Sequence, residues 1–139
     1  MNPLNLLSIL RAQQIHYHLL HWLASGENFQ SDHKLFKDIY SALDKDIDSL
    51  AELMVGSFGP QSLVEDDLIA GINYCLKRWN VSNLSIKFLT PELDFESATK
   101  ELYDKLKLTN HLTLAWDGFL TDTAKKHAKN IYKLKQRLN

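Results

Sequence analysis

The chain has little of what would stabilise a small secreted domain or hold a protein in a membrane. Its 139 residues include one cysteine, Cys75, which excludes an intramolecular disulfide framework and a cysteine-rich zinc site. There is no run of about eighteen apolar residues, and the chain does not start with a basic segment followed by an apolar one. We therefore expect a cytoplasmic protein that is neither secreted nor membrane-spanning.

Motifs of several enzyme classes are also missing. We find no glycine-rich phosphate loop, no nucleophile motif and no Glu-x-x-His motif of the kind that holds iron inside a single bundle. The net charge is −1, so nothing draws the whole chain towards nucleic acid or a membrane. With 45% hydrophobic and 24% charged residues, the chain has the composition of one soluble domain spanning 1–139.

Apolar periodicity predicts an all-α fold. The signals for helix ends are glycine and proline positions, including Gly59-Pro60 and Asp117-Gly118. Long helices are expected at about 3–25, 30–55, 95–116 and 119–138, a short helix at about 62–79 and a loop at 80–94. Four long helices with one longer middle connection predict a bundle with a crossover.

The second predicted helix has a polar face that carries two carboxylates. Its apolar stripe, which should face the core, consists of Phe36, Ile39, Tyr40, Leu43, Ile47, Leu50 and Met54. At about 100° per residue, Asp48 and Glu52 lie roughly 130° to 170° from the centre of that stripe. They are neighbours on one helix face, and this face should point away from the chain's own core.

The first predicted helix is apolar on two sides. One stripe is formed by Ala12, Ile15, Leu19 and Trp22, and the nearly opposite side by Leu10, Gln14, Tyr17 and His21. Such a helix is either deeply buried or packs against another subunit. Imidazole and carboxylate ligands suit a divalent transition metal. With the carboxylates facing outward, the metal is expected between two copies of the chain, in a homo-oligomer.

One stretch of the chain resembles a known family. In order, it contains His21-Trp22, then Gly26-Glu27-Asn28-Phe29, then His33, then Asp48-x-x-x-Glu52. This order resembles the DNA-protecting miniferritins, the Dps family. The similarity is strongest over about residues 10–56, fades across 57–94 and returns weakly as a helical pattern near the end.

The resemblance implies a fold, an assembly and a site. The fold would be a ferritin-like four-helix bundle with a short extra helix between helices two and three, assembled as a hollow dodecamer. Iron would bind where subunits meet, with His21 and His33 from one subunit and Asp48 and Glu52 from its neighbour. The function implied is oxidation of Fe(II) by peroxide or oxygen and storage of the iron inside, which limits oxidative damage.

Lys37 departs from the family pattern. The fourth residue after the second histidine is usually Asp or Glu in the family, whereas a charged lysine has no lone pair to offer and repels a second cation. Two alternatives remain open. The chain is either a ferroxidase with one tightly bound metal per site, or a non-catalytic ferritin-like assembly protein with a degenerate metal site.

A basic stripe near the C-terminus raises the separate question of DNA binding. The last predicted helix carries one basic stripe, which consists of Lys126, Lys129, Lys133 and Arg137. Such a stripe can contact phosphates, but it is equally typical of a solvated helix C-terminus. We favour the second interpretation. No basic N-terminal tail is expected either, because the chain enters its first helix almost at once.

The remaining histidines and tryptophans are expected to be structural. His16 and His18 lie on other faces of the first helix, and Trp79 and Trp116 are expected in the core or at an interface. No carboxylate stands at ligand spacing from His127. None of these side chains is therefore assigned to the site.

Overall fold

The computed structural model describes residues 3–139, which are almost wholly helical. Its α-helices are α1 (Pro3–Leu23), α2 (Phe29–Ser41), α3 (Leu43–Phe58), α4 (Glu65–Trp79), α5 (Leu84–Leu108) and α6 (Leu114–Leu138). The expected all-α fold is confirmed, including a short helix, α4, in the middle connection. None of the helices described is long and apolar enough to cross a membrane. Residues 1–2, where an N-terminal tail was judged absent, lie outside the described part of the chain.

Helix α1 lies at the centre of the bundle. It packs against α2, α3, α4 and α5, and α5 packs along α6. The larger apolar cluster includes Leu6, Leu10, Leu50, Met54, Phe95, Leu102, Trp116 and Leu120. Trp79 and Trp116 are fully buried, as expected. Cys75 is buried too, and burial, helped by the nearby Asp94 carboxylate, raises the pKa of its thiol to about 11.

The second long helix is interrupted, which the sequence did not predict. Ala42 separates α2 from α3 as a single turn residue, with φ −77° and ψ −9°. Just before it, the Ser41 hydroxyl donates to the Lys37 carbonyl at 2.7 Å. A serine that bonds back to the preceding turn in this way tends to bend a helix. The stretch expected as one helix over 30–55 is therefore two helical segments.

The loop predicted over 80–94 was wrong, because α5 begins at Leu84 and runs through Pro91. Asn83 starts the helix by accepting a hydrogen bond from the Ile86 N–H. Proline has no N–H for the carbonyl four residues earlier, here that of Lys87. His16 on α1 donates its Nε2–H to that carbonyl at 2.7 Å. A distant side chain thus replaces the bond that makes proline unfavourable inside a helix.

The predicted turn at Asp117-Gly118 was also wrong, since both residues lie in the first turns of α6. The chain reverses earlier, between Leu108 and Leu114. Asn110 adopts the left-handed conformation at φ 62°, and the His111 N–H bonds to the Leu106 carbonyl, which closes the end of α5. Thr113 then caps α6 by accepting from the Trp116 N–H at 3.2 Å.

Two ion pairs join α6 to α2 and α3. Arg137 donates to both carboxylate oxygens of the buried Asp32 at 2.7 and 3.0 Å, and this hydrogen bonding raises the pKa of the guanidinium. Lys126 pairs with the buried Asp46 at 3.1 Å. Half of the basic stripe is therefore engaged within the chain, which weakens the case for phosphate contacts along α6.

Candidate metal centre

His21 and His33 lie against each other where α1 ends and α2 begins. The chain reverses through a short 3-10 helix, Gly26–Asn28. Gly26 takes φ +78°, which a residue with a side chain adopts only at a cost. The reversal stacks the two imidazoles with their centroids 3.7 Å apart and their planes 21° from parallel. Residues twelve positions apart thus form one pair of rings.

Hydrogen bonds to the backbone fix both rings. The Nδ1 of His21 lies 2.6 Å from the His33 carbonyl oxygen, and the Nδ1 of His33 lies 2.9 Å from the His21 carbonyl oxygen. A carbonyl only accepts, so each Nδ1 carries a hydrogen, and Nε2 is the ring nitrogen left to bind a metal. Neither Nε2 has a hydrogen-bond partner within residues 3–139. Histidines that bind metals are typically oriented by this kind of bond to a carbonyl.

Aromatic side chains surround the histidine pair. Phe29 stacks beside His33 at 5.1 Å between centroids. On the other side, the His18 ring stacks on Tyr40 with 4.1 Å between centroids and lies against Trp22 with 3.8 Å between centroids. His18 and Tyr40 therefore have the packing role expected of them, and this packing holds the end of α1 against α2.

Asp48 and Glu52 lie on α3, exposed, as the helical wheel predicts. Neither carboxylate makes a hydrogen bond or ion pair with the described residues. Nowhere in that part of one chain do three His, Cys, Asp or Glu side chains come close enough to hold a metal ion. The histidine pair and the carboxylate pair do not converge within a single copy, so a metal bound by both would have to lie between copies.

Lys37 is exposed on α2, one turn after His33. The neighbouring ion pair is formed by Lys34 and Asp38 at 2.8 Å and leaves Lys37 out. Its ammonium has no carboxylate partner among residues 3–139. The lysine is therefore free to approach whatever binds beside His33.

The exposed side of α1 is apolar next to these histidines. We call this surface the α1 outer face; it consists of Ile15, Leu19, Trp22 and Leu23. Trp22 is 62% exposed and Leu19 is 43% exposed, whereas Tyr17 and His21 on the other side are buried. Of the stripe predicted on this side, Ile15, Leu19 and Trp22 are exposed, whereas Ala12 is fully buried. Clustered exposed apolar side chains are typical of interaction sites.

A second polar cluster, in the bundle core, was missed by sequence reasoning. The fully buried Glu92 accepts hydrogen bonds from Gln13 at 3.0 Å, from His127 at 2.5 Å and from Asn130 at 2.9 Å. The Glu92 carboxylate also contributes, after burial itself, to the raised pKa of the Tyr17 hydroxyl. Glu92 was placed in a loop, so no spacing argument connected it with His127, 35 residues later.

The chain has no match among family models, curated proteins or solved structures. Function is therefore inferred from the residues themselves: two oriented histidines, two unpaired carboxylates and an uncovered apolar face.

We predict that Leu19→Glu disrupts self-assembly, because it places a charge in the middle of the α1 outer face. Sedimentation velocity should show the parent as an oligomer and the variant shifted to smaller species. Leu108→Glu is the matched control, since Leu108 is 88% exposed at the end of α5, and it should sediment like the parent. A parent that is a stable monomer near 16.0 kDa at micromolar concentration would contradict the prediction.

Proposed function

We propose that the chain is the subunit of a Dps-like miniferritin, which binds and oxidises Fe(II) at sites shared between subunits and stores the iron inside a hollow homo-oligomer. The observation that carries the proposal is the His21–His33 pair, in which both Nδ1 atoms are bonded to carbonyls and both Nε2 atoms are left without a partner. The proposed cage is a dodecamer in the cytoplasm, where removing Fe(II) and peroxide together would limit oxidative damage.

Iron is the substrate of the proposed site, and the donor set fits it. Carboxylate oxygen and imidazole nitrogen are suitable ligands for iron. In the proposed arrangement, the rings of His21 and His33 come from one subunit. The carboxylates of Asp48 and Glu52 come from its neighbour, which is consistent with their exposure and lack of partners in the single chain.

The helical arrangement supports the ferritin-like part of the proposal. We propose that α1, the α2–α3 pair, α5 and α6 are the four long helices of a ferritin-like bundle. Helix α4 would be the short extra helix of the middle connection, where it packs on α1 and α5. The uncovered α1 outer face would then be buried by a neighbouring subunit.

Lys37 favours a second candidate function. Its ammonium has no partner in the chain and lies one turn from His33, so in an assembly it would lie near the Asp48 and Glu52 side chains of the neighbour. There the lysine ammonium would place a fixed positive charge where a second metal ion would otherwise bind. The alternative is therefore a non-catalytic ferritin-like assembly protein in which a lysine–carboxylate contact replaces the metal.

We predict that His21→Ala and Glu52→Ala each slow Fe(II) oxidation by at least about tenfold, because each removes a direct ligand. Oxidation is followed optically after anaerobic loading with Fe(II) and addition of peroxide or oxygen. Matched controls are His111→Ala and Glu101→Ala, two exposed side chains away from the proposed site. If the parent oxidises no iron, the non-catalytic alternative holds. If both site variants oxidise iron at the parent rate, the proposed site is wrong.

We predict that the unmodified protein binds about one iron tightly per site and that Lys37→Glu adds a second. A lysine ammonium about 4 Å from a second cation at a partly solvated contact would oppose it by ~1–4 kcal/mol. That is roughly one to three decades of affinity. Calorimetric titration of anaerobic protein measures the stoichiometry, with Lys34→Glu as the control on the same helix. Two irons of similar affinity in the unmodified protein would contradict this reading of Lys37.

A further inference from the structure

An apolar groove runs beside the two unpaired carboxylates of α3. Its apolar walls include Ala51, Val55, Gly56, Leu63 and Val64. Asp48 and Glu52 line it as well. We call it the α3 groove; the part between α1, α3 and the start of α4 has a volume of about 270 Å³. Leu63 and Val64 are exposed, so the described chain leaves these walls open to solvent.

Gly56 leaves a gap in the wall of the α3 groove. It lies in the last turn of α3, where a Cβ would meet no neighbouring group within 4 Å. No contact among residues 3–139 requires a glycine at this position, although glycine makes a helix less stable than alanine does. The gap therefore has room for a group that comes from another molecule.

The α1 outer face carries a large apolar side chain that lacks such a cover. Trp22 is mostly exposed, and aromatic side chains of this size dominate interface energetics when they are buried. Trp22 directly follows His21, which the proposed iron site joins to the carboxylates of a neighbour. A contact that brings His21 to those carboxylates also brings Trp22 to the groove that they line. The occupant of the groove is therefore a second copy of this chain.

Helix α1 carries both halves of this contact on one face. Arg11 lines the α3 groove, and Trp22 lies eleven residues later. At about 100° per residue, the two positions differ by roughly 20° around the helix, and the exposed Ile15 lies within roughly 40° of both. Two antiparallel copies of α1, related by a two-fold axis near Ile15, would place each Trp22 beside the other copy's groove. Such a pair is closed, because each copy gives and receives the same contact.

The charges of the two surfaces are complementary as well. On the side of the tryptophan, Lys37 lies one turn after His33 and has no carboxylate partner among residues 3–139. On the side of the groove, Asp48 and Glu52 have no cationic partner within the described chain. Opposite charges that face each other across an interface favour the right partner and fix its register.

We propose that the α3 groove receives Trp22 of a second copy, in a two-fold pair in which each copy gives one tryptophan and accepts another. The indole packs against the apolar wall at the gap left by Gly56. The inference rests on the proposed function, because the shared iron site determines which surface of the neighbour the tryptophan meets.

Tryptophan fluorescence reads this docking directly. The chain has three tryptophans, of which Trp79 and Trp116 are fully buried. Trp22 is therefore the tryptophan that acrylamide reaches in a free subunit. The metal-free parent is titrated with acrylamide, and Trp22→Phe is measured in parallel so that the emission of the two buried residues can be subtracted. We expect the Trp22 emission of the parent to be shielded from acrylamide.

The groove is tested by filling its gap with Gly56→Phe. We expect self-association to weaken at least about tenfold in sedimentation equilibrium, the effect of losing a buried aromatic anchor, and Trp22 to become open to acrylamide. Gly118→Phe is the matched control, since Gly118 is an exposed glycine of α6 whose Cβ would also meet no neighbouring group within 4 Å. This control should associate and be quenched like the parent. Circular dichroism checks that both variants keep their helix content.

Two results would overturn the proposal: Trp22 of the parent quenched as readily as free tryptophan, or a folded Gly56→Phe that associates like the parent. Both measurements use metal-free protein, so they do not depend on iron chemistry. A shielded Trp22 together with weakened association in Gly56→Phe supports the docking even if the parent oxidises no iron, a result that rejects the proposed function alone. An oligomer that oxidises iron while its Trp22 is open to acrylamide rejects the docking alone.

Discussion

Helix α1 carries apolar side chains on two sides, and the described part of the chain leaves much of one side exposed. The packing of the other helices depends on this central helix. Its buried side packs against four other helices. From that side Gln13, His16 and Tyr17 reach the backbone of α5, where they donate to the carbonyls of Pro91, Lys87 and Phe88. Its other side, the α1 outer face, has no cover within the described chain. The same helix thus organises the core and exposes a surface suited to a partner.

The polar contacts of α1 explain how α5 tolerates a proline. A carbonyl that is removed from water and left without a donor costs about 1–3 kcal/mol. The partly buried Lys87 carbonyl avoids such a cost by accepting from the His16 ring. Burial lowers the pKa of His16, although its bond to the Lys87 carbonyl acts in the opposite direction. The unfolded chain therefore takes up a proton on His16 at higher pH than the folded chain does. This histidine's contribution to stability is lost as pH falls below about 6.5.

Patterns confined to one helix were predictable from the sequence, and contacts between distant helices were not. The outward position of Asp48 and Glu52 follows from helical periodicity alone, as does the two-sided character of α1. Helix α5 continues through Pro91 because His16 bonds to the Lys87 carbonyl. The contact between Glu92 and His127 in turn requires that α5 be helical at residue 92. The orientation of His21 and His33 lies between these cases. Their proximity follows from a short chain reversal at Gly26. The hydrogen bond from each ring to the other residue's carbonyl could be found only in the three-dimensional structure.

The central claim is that histidines from one subunit and carboxylates from another form one site. It is tested most directly by mixing two inactive variants, His21→Ala and the double variant Asp48→Ala/Glu52→Ala, in reassembled oligomers. Each variant alone should lack iron oxidation. At equal mixing, roughly a quarter of the sites in a two-fold interface combine intact histidines with intact carboxylates, so oxidation should return to about that fraction of the parent rate. Mixed oligomers that assemble but stay as inactive as either variant would contradict the shared site.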